Sequence, residues 1–102
     1  MELSVGHTPD ADDAFMFYGM FSGKVTSPSF TVTHVIKDIE NLNRKAKSPE
    51  LDVTAVSVHA CAHIPKYTIL RSGGSFGIGY GPIVTATKEM TIEELQKAKI
   101  AI

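Results

Sequence analysis

Leu3-Ser4-Val5-Gly6-His7-Thr8-Pro9-Asp10-Ala11-Asp12-Asp13-Ala14-Phe15-Met16-Phe17-Tyr18 holds the reading that decides the fold. Leu3 to Val5 is a short apolar strand. Gly6 to Asp12 is a turn, broken by Pro9 and crowded with carboxylates. A helix is predicted near Asp13 to Ser22, with Phe15, Met16, Phe17, Met20 and Phe21 spread over a wide apolar face, as expected of a helix packed on a sheet. A strand feeding a helix through a polar turn is the opening unit of an α/β protein.

The pattern repeats on the carboxyl side. Gly23 and Pro28 punctuate the helix exit, and Phe30 to Ile36, rich in Thr, Val and Ile, reads as a second strand. Asp38 suits a helix N-cap, and Ile39, Leu42 and Ala46 share one stripe before Ser48-Pro49-Glu50 ends the helix. Val53 to Val56 is a third strand. Ser57 stands at its end, placed to cap a short helix from Val58 to Ile64, and Tyr67 to Leu70 is extended after Pro65. A glycine-rich stretch follows from Ser72 to Gly81, then a predicted strand over Ile83 to Thr87. Thr91-Ile92-Glu93-Glu94 is a capping box opening a helix that runs to about Ala98. Lys99-Ile100-Ala101-Ile102 reads as the start of another strand, so a longer protein is expected; the alternative is a final edge strand in a small domain.

Strands alternating with helices predict a mainly parallel sheet, and such sheets bind ligands outside the carboxyl ends of their strands. That rule gathers His7 to Asp13, Ser57 to His59 and the glycine stretch on one rim.

Composition narrows the partners. The chain has 102 residues, 43% of them hydrophobic, and a net charge of −1, which predicts a folded domain with no nucleic-acid partner. No apolar run reaches the roughly 20 residues of a membrane span, and the start lacks the marks of a signal peptide, so a cytoplasmic protein is expected. Cys61 is the single cysteine, which rules out an intrachain disulfide.

Each polar cluster has two readings. Asp10, Asp12 and Asp13 can cap a helix, yet one carboxylate would suffice, and the excess suggests a polar site. They can also hold Mg²⁺ for phosphoryl transfer, although no partner acid cluster appears later. His59 and His63, four apart, have zinc-ligand spacing, but Ala60 stands where a metalloprotease needs Glu; a structural histidine at each position is the preferred reading. Cys61 between two alanines reads as a small buried residue rather than a nucleophile. The glycines at 77, 79 and 81 fit neither a phosphate loop nor a dinucleotide fingerprint, because a strand rather than a helix is predicted after them. They are either a connector or a crossover where backbone meets ligand, and so a natural hinge.

Taken in order, several segments resemble one family. Gly6 to Tyr18, Asp38-Ile39-Glu40-Asn41-Leu42-Asn43, Ser57, Leu70-Arg71-Ser72-Gly73-Gly74 and Gly77-Ile78-Gly79-Tyr80-Gly81-Pro82-Ile83-Val84 are similar, in sequence and spacing, to the 1,4-dihydroxy-6-naphthoate synthases of menaquinone biosynthesis. The related chorismate dehydratases open differently. The resemblance implies a two-lobed fold of the type II periplasmic-binding-protein kind, with residues 1–82 as the first lobe and 83–102 as a crossover strand and the start of a largely missing second lobe. It implies a lyase of the futalosine pathway that cleaves cyclic de-hypoxanthine futalosine without metal or organic cofactor. Ser57 matches a substrate-contacting serine, and Ser72, Gly73, Gly81 and Pro82 match pocket and crossover positions. With His7, Thr8, Asp10 and His59 from the same rim, these form the expected substrate-binding set. The resemblance leaves the roles of His7, Asp10 and Asp12 open. It places the catalytic histidine beyond Ile102, so this chain alone is expected to be inactive. Rival readings are a cytoplasmic sensor module for small anions and a Mg²⁺ phosphohydrolase; self-association into a homo-oligomer is a further expectation.

Overall fold

Three parallel strands form the sheet in the order β2-β1-β3. The computed structural model describes residues 1–81 and 83–100. β1 covers Glu2–His7, β2 Thr31–Ile36 and β3 Val53–Thr54. β1 lies in the middle, with Val5 opposite His34 on one side and Val53 on the other. Parallel neighbours require crossovers, and the helices α1 (Ala11–Phe21) and α2 (Ile39–Lys47) supply them.

Alternation along β1 assigns each helix its face of the sheet. The ring of His7 stacks on Phe17 of α1, with centroids 4.6 Å apart. One residue earlier, a Cβ built on Gly6 would lie 2.9 Å from Leu42 Cδ2 of α2 and 2.7 Å from Leu51 Cδ1. Hence α1 covers the face bearing Val5 and His7, and α2 covers the opposite one. Leu51, Leu42 of α2 and Thr54 of β3 together leave no room for a side chain at Gly6.

The core is small. Val5, Leu42, Ala46 and Ile64 are its buried apolar residues, joined by the buried polar residues His7, Thr8 and Asp13. Asp52 clamps β3 to β1: its carboxylate accepts from Ser4 N at 2.8 Å and Ser4 Oγ at 2.7 Å, and its own N–H donates to Ser4 Oγ at 2.9 Å. These bonds hold the Asp52 carboxyl below its ordinary pKa, the Ser4 backbone N–H acting most strongly.

Beyond Ile64 the packing thins. The short helix α3 (Val58–Cys61) is followed by Tyr67, whose hydroxyl donates to Leu51 O at 2.6 Å and ties the departing chain to the start of β3. From there to α4 (Ile92–Lys97) no helix or strand forms among the described residues. The radius of gyration, 17.5 Å, exceeds the about 13 Å of a compact domain this long.

Several expectations are corrected here. Helix α1 begins at Ala11 rather than Asp13, and Phe15 and Phe21 are exposed; Asp13, Met16, Phe17 and Met20 form its covered side. β3 stops at Thr54, because its pairing with β1 ends with Gly6 opposite Thr54. Ile83 to Thr87 form no strand: no neighbouring strand takes up their backbone groups, and Ile83 and Val84 lie in solvent. Lys99 and Ile100 are likewise irregular, and Ala101 and Ile102 lie outside the described residues. The capping box is present, with Thr91 accepting from Glu94 N at 3.2 Å and Glu94 from Thr91 N at 2.8 Å.

Candidate functional site

The strand order contains a reversal. The chain leaves β1, crosses through α1 to β2 on one side, then crosses through α2 to β3 on the other. Loops leaving β1 and β3 at their carboxyl ends therefore diverge, and the crevice between them is where open α/β sheets receive ligands. Thr8 to Asp10 is the first of these loops, and Ala55 to Ser57 the second.

Ser57 is held from two sides. Its hydroxyl caps α3, accepting from Ala60 N at 3.2 Å, and also receives Asn43 Nδ2 at 3.3 Å. Its own N–H donates to Asn43 Oδ1 at 3.0 Å. A hydroxyl has two lone pairs and one proton. With both lone pairs engaged, the proton of Ser57 Oγ remains to be donated, so the site offers a fixed donor to an acceptor such as a carboxylate or carbonyl oxygen. Asn43, half-buried on α2, is the positioning residue that sequence reasoning missed. A signal was present: with Ile39, Leu42 and Ala46 it completes an i, i+3, i+4, i+7 pattern, a polar residue in an apolar position.

The turn after β1 is locked from within. Asp13 accepts from Thr8 N at 2.6 Å, and Asp10 accepts from Thr8 Oγ1 at 3.0 Å. Asp12, exposed, accepts from Ser75 Oγ, and this bond above all lowers its pKa. The three carboxylates thus go to three different donors. Among the described residues no group of three or more His, Cys, Asp or Glu side chains is arranged to hold a metal ion. The Asp12–Ser75 bond draws the glycine stretch to the amino end of α1. Gly73 follows the same path with φ +85°, and a Cβ there would sit 3.5 Å from Met16 Sδ. Only glycine takes that backbone shape without strain.

His7 is buried and fully engaged. Its Nδ1 lies 3.1 Å from Thr8 O and its Nε2 3.0 Å from His34 Nδ1. A carbonyl only accepts, so His7 donates through Nδ1 and accepts at Nε2 from His34. His34 Nε2 is then a buried lone pair without a partner. Burial first, and repulsion by His7 second, hold the His34 imidazole below its ordinary pKa. His7 therefore acts on the rim through the Thr8 backbone. His34 was another residue missed; in the alternation of β2 it occupies the same face as Val32 and Ile36.

Of the expected set, Thr8 and Asp10 lie in the loop after β1 and Ser57 in the loop after its neighbour β3, and Ser72 and Gly73 belong to the stretch tied to the amino end of α1 through Ser75. His59 is exposed on α3, two residues from Ser57. Gly81 is exposed and distant from other side chains, and Pro82 lies outside the described residues.

A small α/β chain whose parallel strand order reverses beside its central strand is thus the class of fold that the elements define. The chain belongs to the menaquinone biosynthesis family, whose sequence profile matches residues 3–102. It is 37% identical over 101 residues to the 1,4-dihydroxy-6-naphthoate synthase of Thermus thermophilus, an alignment covering 98% of this chain and 36% of that protein. The chain therefore spans about a third of the length of the curated relative it matches. The crystal structure of a protein from Archaeoglobus fulgidus superposes with a TM-score of 0.74 at 57% identity, covering 78% of this chain and 30% of the other.

Proposed function

We propose that this chain forms the substrate-contacting first lobe of a cytoplasmic 1,4-dihydroxy-6-naphthoate synthase, a lyase acting on cyclic de-hypoxanthine futalosine. The fold of the whole is then two-lobed and of the type II periplasmic-binding-protein kind, with the glycine stretch as the crossover towards the second lobe. One observation carries the reading. Ser57 Oγ accepts from both Asn43 Nδ2 and Ala60 N, which leaves its own proton to donate, and a carboxylate-bearing substrate needs such a donor. The identity to the Thermus thermophilus synthase along nearly the whole chain supports it.

Thr8 and Asp10 shape the floor of the crevice, and Ser72 and Gly73 its flank. Proton abstraction needs a base within hydrogen-bond reach of the reacting carbon's proton. His7 has both nitrogens committed inside the protein. The base is assigned to the part of the synthase that this chain does not span, so the chain binds without turning over.

Titration of the 102-residue chain with 1,4-dihydroxy-6-naphthoate, followed by backbone amide NMR, tests this. Shifts are expected at Thr8, Asp10, Ser57 and Ser72 to Ser75, weakened about tenfold or more by Ser57→Ala, since a hydrogen bond to a charged group is worth about 1.5–3 kcal/mol. Shifts confined to other surfaces, or turnover of cyclic de-hypoxanthine futalosine by this chain alone, would overturn it.

A further inference from the structure

His59 and His63 do not behave as structural histidines. Both are exposed, and among the described residues their ring contact is with each other, edge to face at a centroid separation of 5.0 Å and an interplanar angle of 61°. A histidine kept for structure spends its nitrogens on protein partners, as His7 does at Thr8 O and His34 Nδ1.

The backbone beneath the pair is fixed. Ser57 caps the helix at its start, Cys61 N donates to Ser57 O at 3.1 Å, and His63 N donates to Ala60 O at 2.9 Å. Ile64, buried, pins the end of the turn directly after His63. α3 ends at Cys61, and His63 lies in the tighter turn that continues it; the ring contact between His59 and His63 places both side chains on one side of this segment.

We propose that His59 and His63 form a two-imidazole chelate for a borderline divalent transition-metal ion, zinc or copper(II). Two imidazoles on one tetrahedral zinc, with Zn–N bonds of about 2.0–2.1 Å, hold their ring centroids about 5 Å apart. The separation present here, 5.0 Å, already matches that arrangement. Both side chains are exposed, so rotation about their χ angles can turn one nitrogen of each towards a shared point. Imidazole suits zinc and copper, whereas magnesium and calcium prefer oxygen. Among the described residues no third His, Cys, Asp or Glu completes the set. The remaining coordination positions therefore face solvent and take water or an incoming anion, an open site rather than a closed structural one. The chelate uses imidazole nitrogens alone and leaves the Asn43–Ser57 bonds intact, so it does not depend on the synthase reading.

Zinc titration of the full chain tests this, with the imidazole carbon-bound protons followed by NMR and affinity measured by calorimetry. One equivalent is expected to move the His59 and His63 signals together while those of His7 and His34 stay in place. His59→Ala and His63→Ala should each weaken binding about tenfold or more, and copper(II) should bind more tightly than zinc, following the ordinary order of divalent affinities. Magnesium chloride should move neither ring. Both side chains are exposed, and an unchanged melting temperature verifies that each variant folds. Unchanged zinc affinity in His63→Ala, zinc-induced shifts at only one of the pair, or shifts centred on His7 and His34 would overturn the proposal.

Discussion

Residues 1–64 and residues 68–100 are of comparable apolar content, 28 of 64 against 13 of 33, yet among the described residues only the first stretch packs. In the first, β1 is paired on both sides and roofed by α1 on one face and α2 on the other, and Leu42 is wholly buried. In the second, Ile69, Phe76, Ile78, Tyr80 and Ile83 are each more than seven-tenths exposed, and the bonds from Ser75 to Asp12 and from Tyr67 to Leu51 tether the stretch. Hydrophobicity alone does not make structure. A segment orders when neighbours take up both its apolar side chains and its backbone groups. On the proposed function, Ser57 and the Thr8–Asp10 turn would be the well-held part of the site, beside an apolar stretch that is tied to the start of α1 through the Ser75–Asp12 bond.

The sharpest way to break this comparison is to cut into both halves equally. Leu42→Ala should cost about 2–5 kcal/mol, the range for emptying a fully buried leucine site, whereas Ile78→Ala, at 89% exposure, should stay within about 0.5 kcal/mol. Urea unfolding of both variants measures the contrast, and equal losses would contradict it. Gly6→Ala comes next. Its methyl would meet Leu51, Leu42 and the Thr54 hydroxyl at 2.7–2.9 Å, and overpacking of this kind costs about 1–3 kcal/mol. The same change at Gly81, which has open space around it, should be silent apart from any role in the crossover.

A smaller effect sharpens the account of the site. Asn43→Ala removes both bonds to Ser57 and should destabilise the chain by about 1–2 kcal/mol, with amide shifts concentrated at residues 55–61. Shifts spread evenly over the sheet would show that Asn43 does not position Ser57 in particular. The smallest effect concerns acid. The Asp52 carboxyl has a folded pKa below its unfolded value because Ser4 donates to it twice. Its stabilisation is therefore present above the unfolded pKa, near about 3.9, and fades as pH falls through the lower folded value. A melting-temperature profile from pH 6 to pH 2 should drop in that acid window, less steeply in Asp52→Asn. An identical slope in the variant would remove Asp52 from the account.

Much of the ordered half was legible in the sequence. The Thr, Val and Ile run of β2, the Asp38 cap with its Leu42 and Ala46 stripe and the Ser57 cap are local patterns that survive into the structure with a partner at hand, and the Thr91–Glu94 box of the other stretch survives on its own two bonds. Ser57 and the aspartate turn could be placed on one rim because parallel topology forces strand ends together. What escaped were contacts between distant residues. Asn43 reaches Ser57 across 14 positions and His34 reaches His7 across 27, and no spacing rule names such pairs in advance. Ile83 to Thr87 went the other way: the residues favour a strand, but strand propensity supplies no neighbour to pair with. Phe15 likewise lies on an apolar helix face broader than the sheet it covers.

Hydrogen exchange of the free chain and of the chain saturated with 1,4-dihydroxy-6-naphthoate tests the central claim most directly. Slow amides are predicted in β1, β2 and α2 of the free chain and fast ones over residues 68–90, with ligand adding protection at Thr8, Ser57 and the Ser72–Ser75 segment. Slow exchange over residues 68–90 without ligand, or ligand protection at the opposite, amino-terminal ends of the strands, would contradict it.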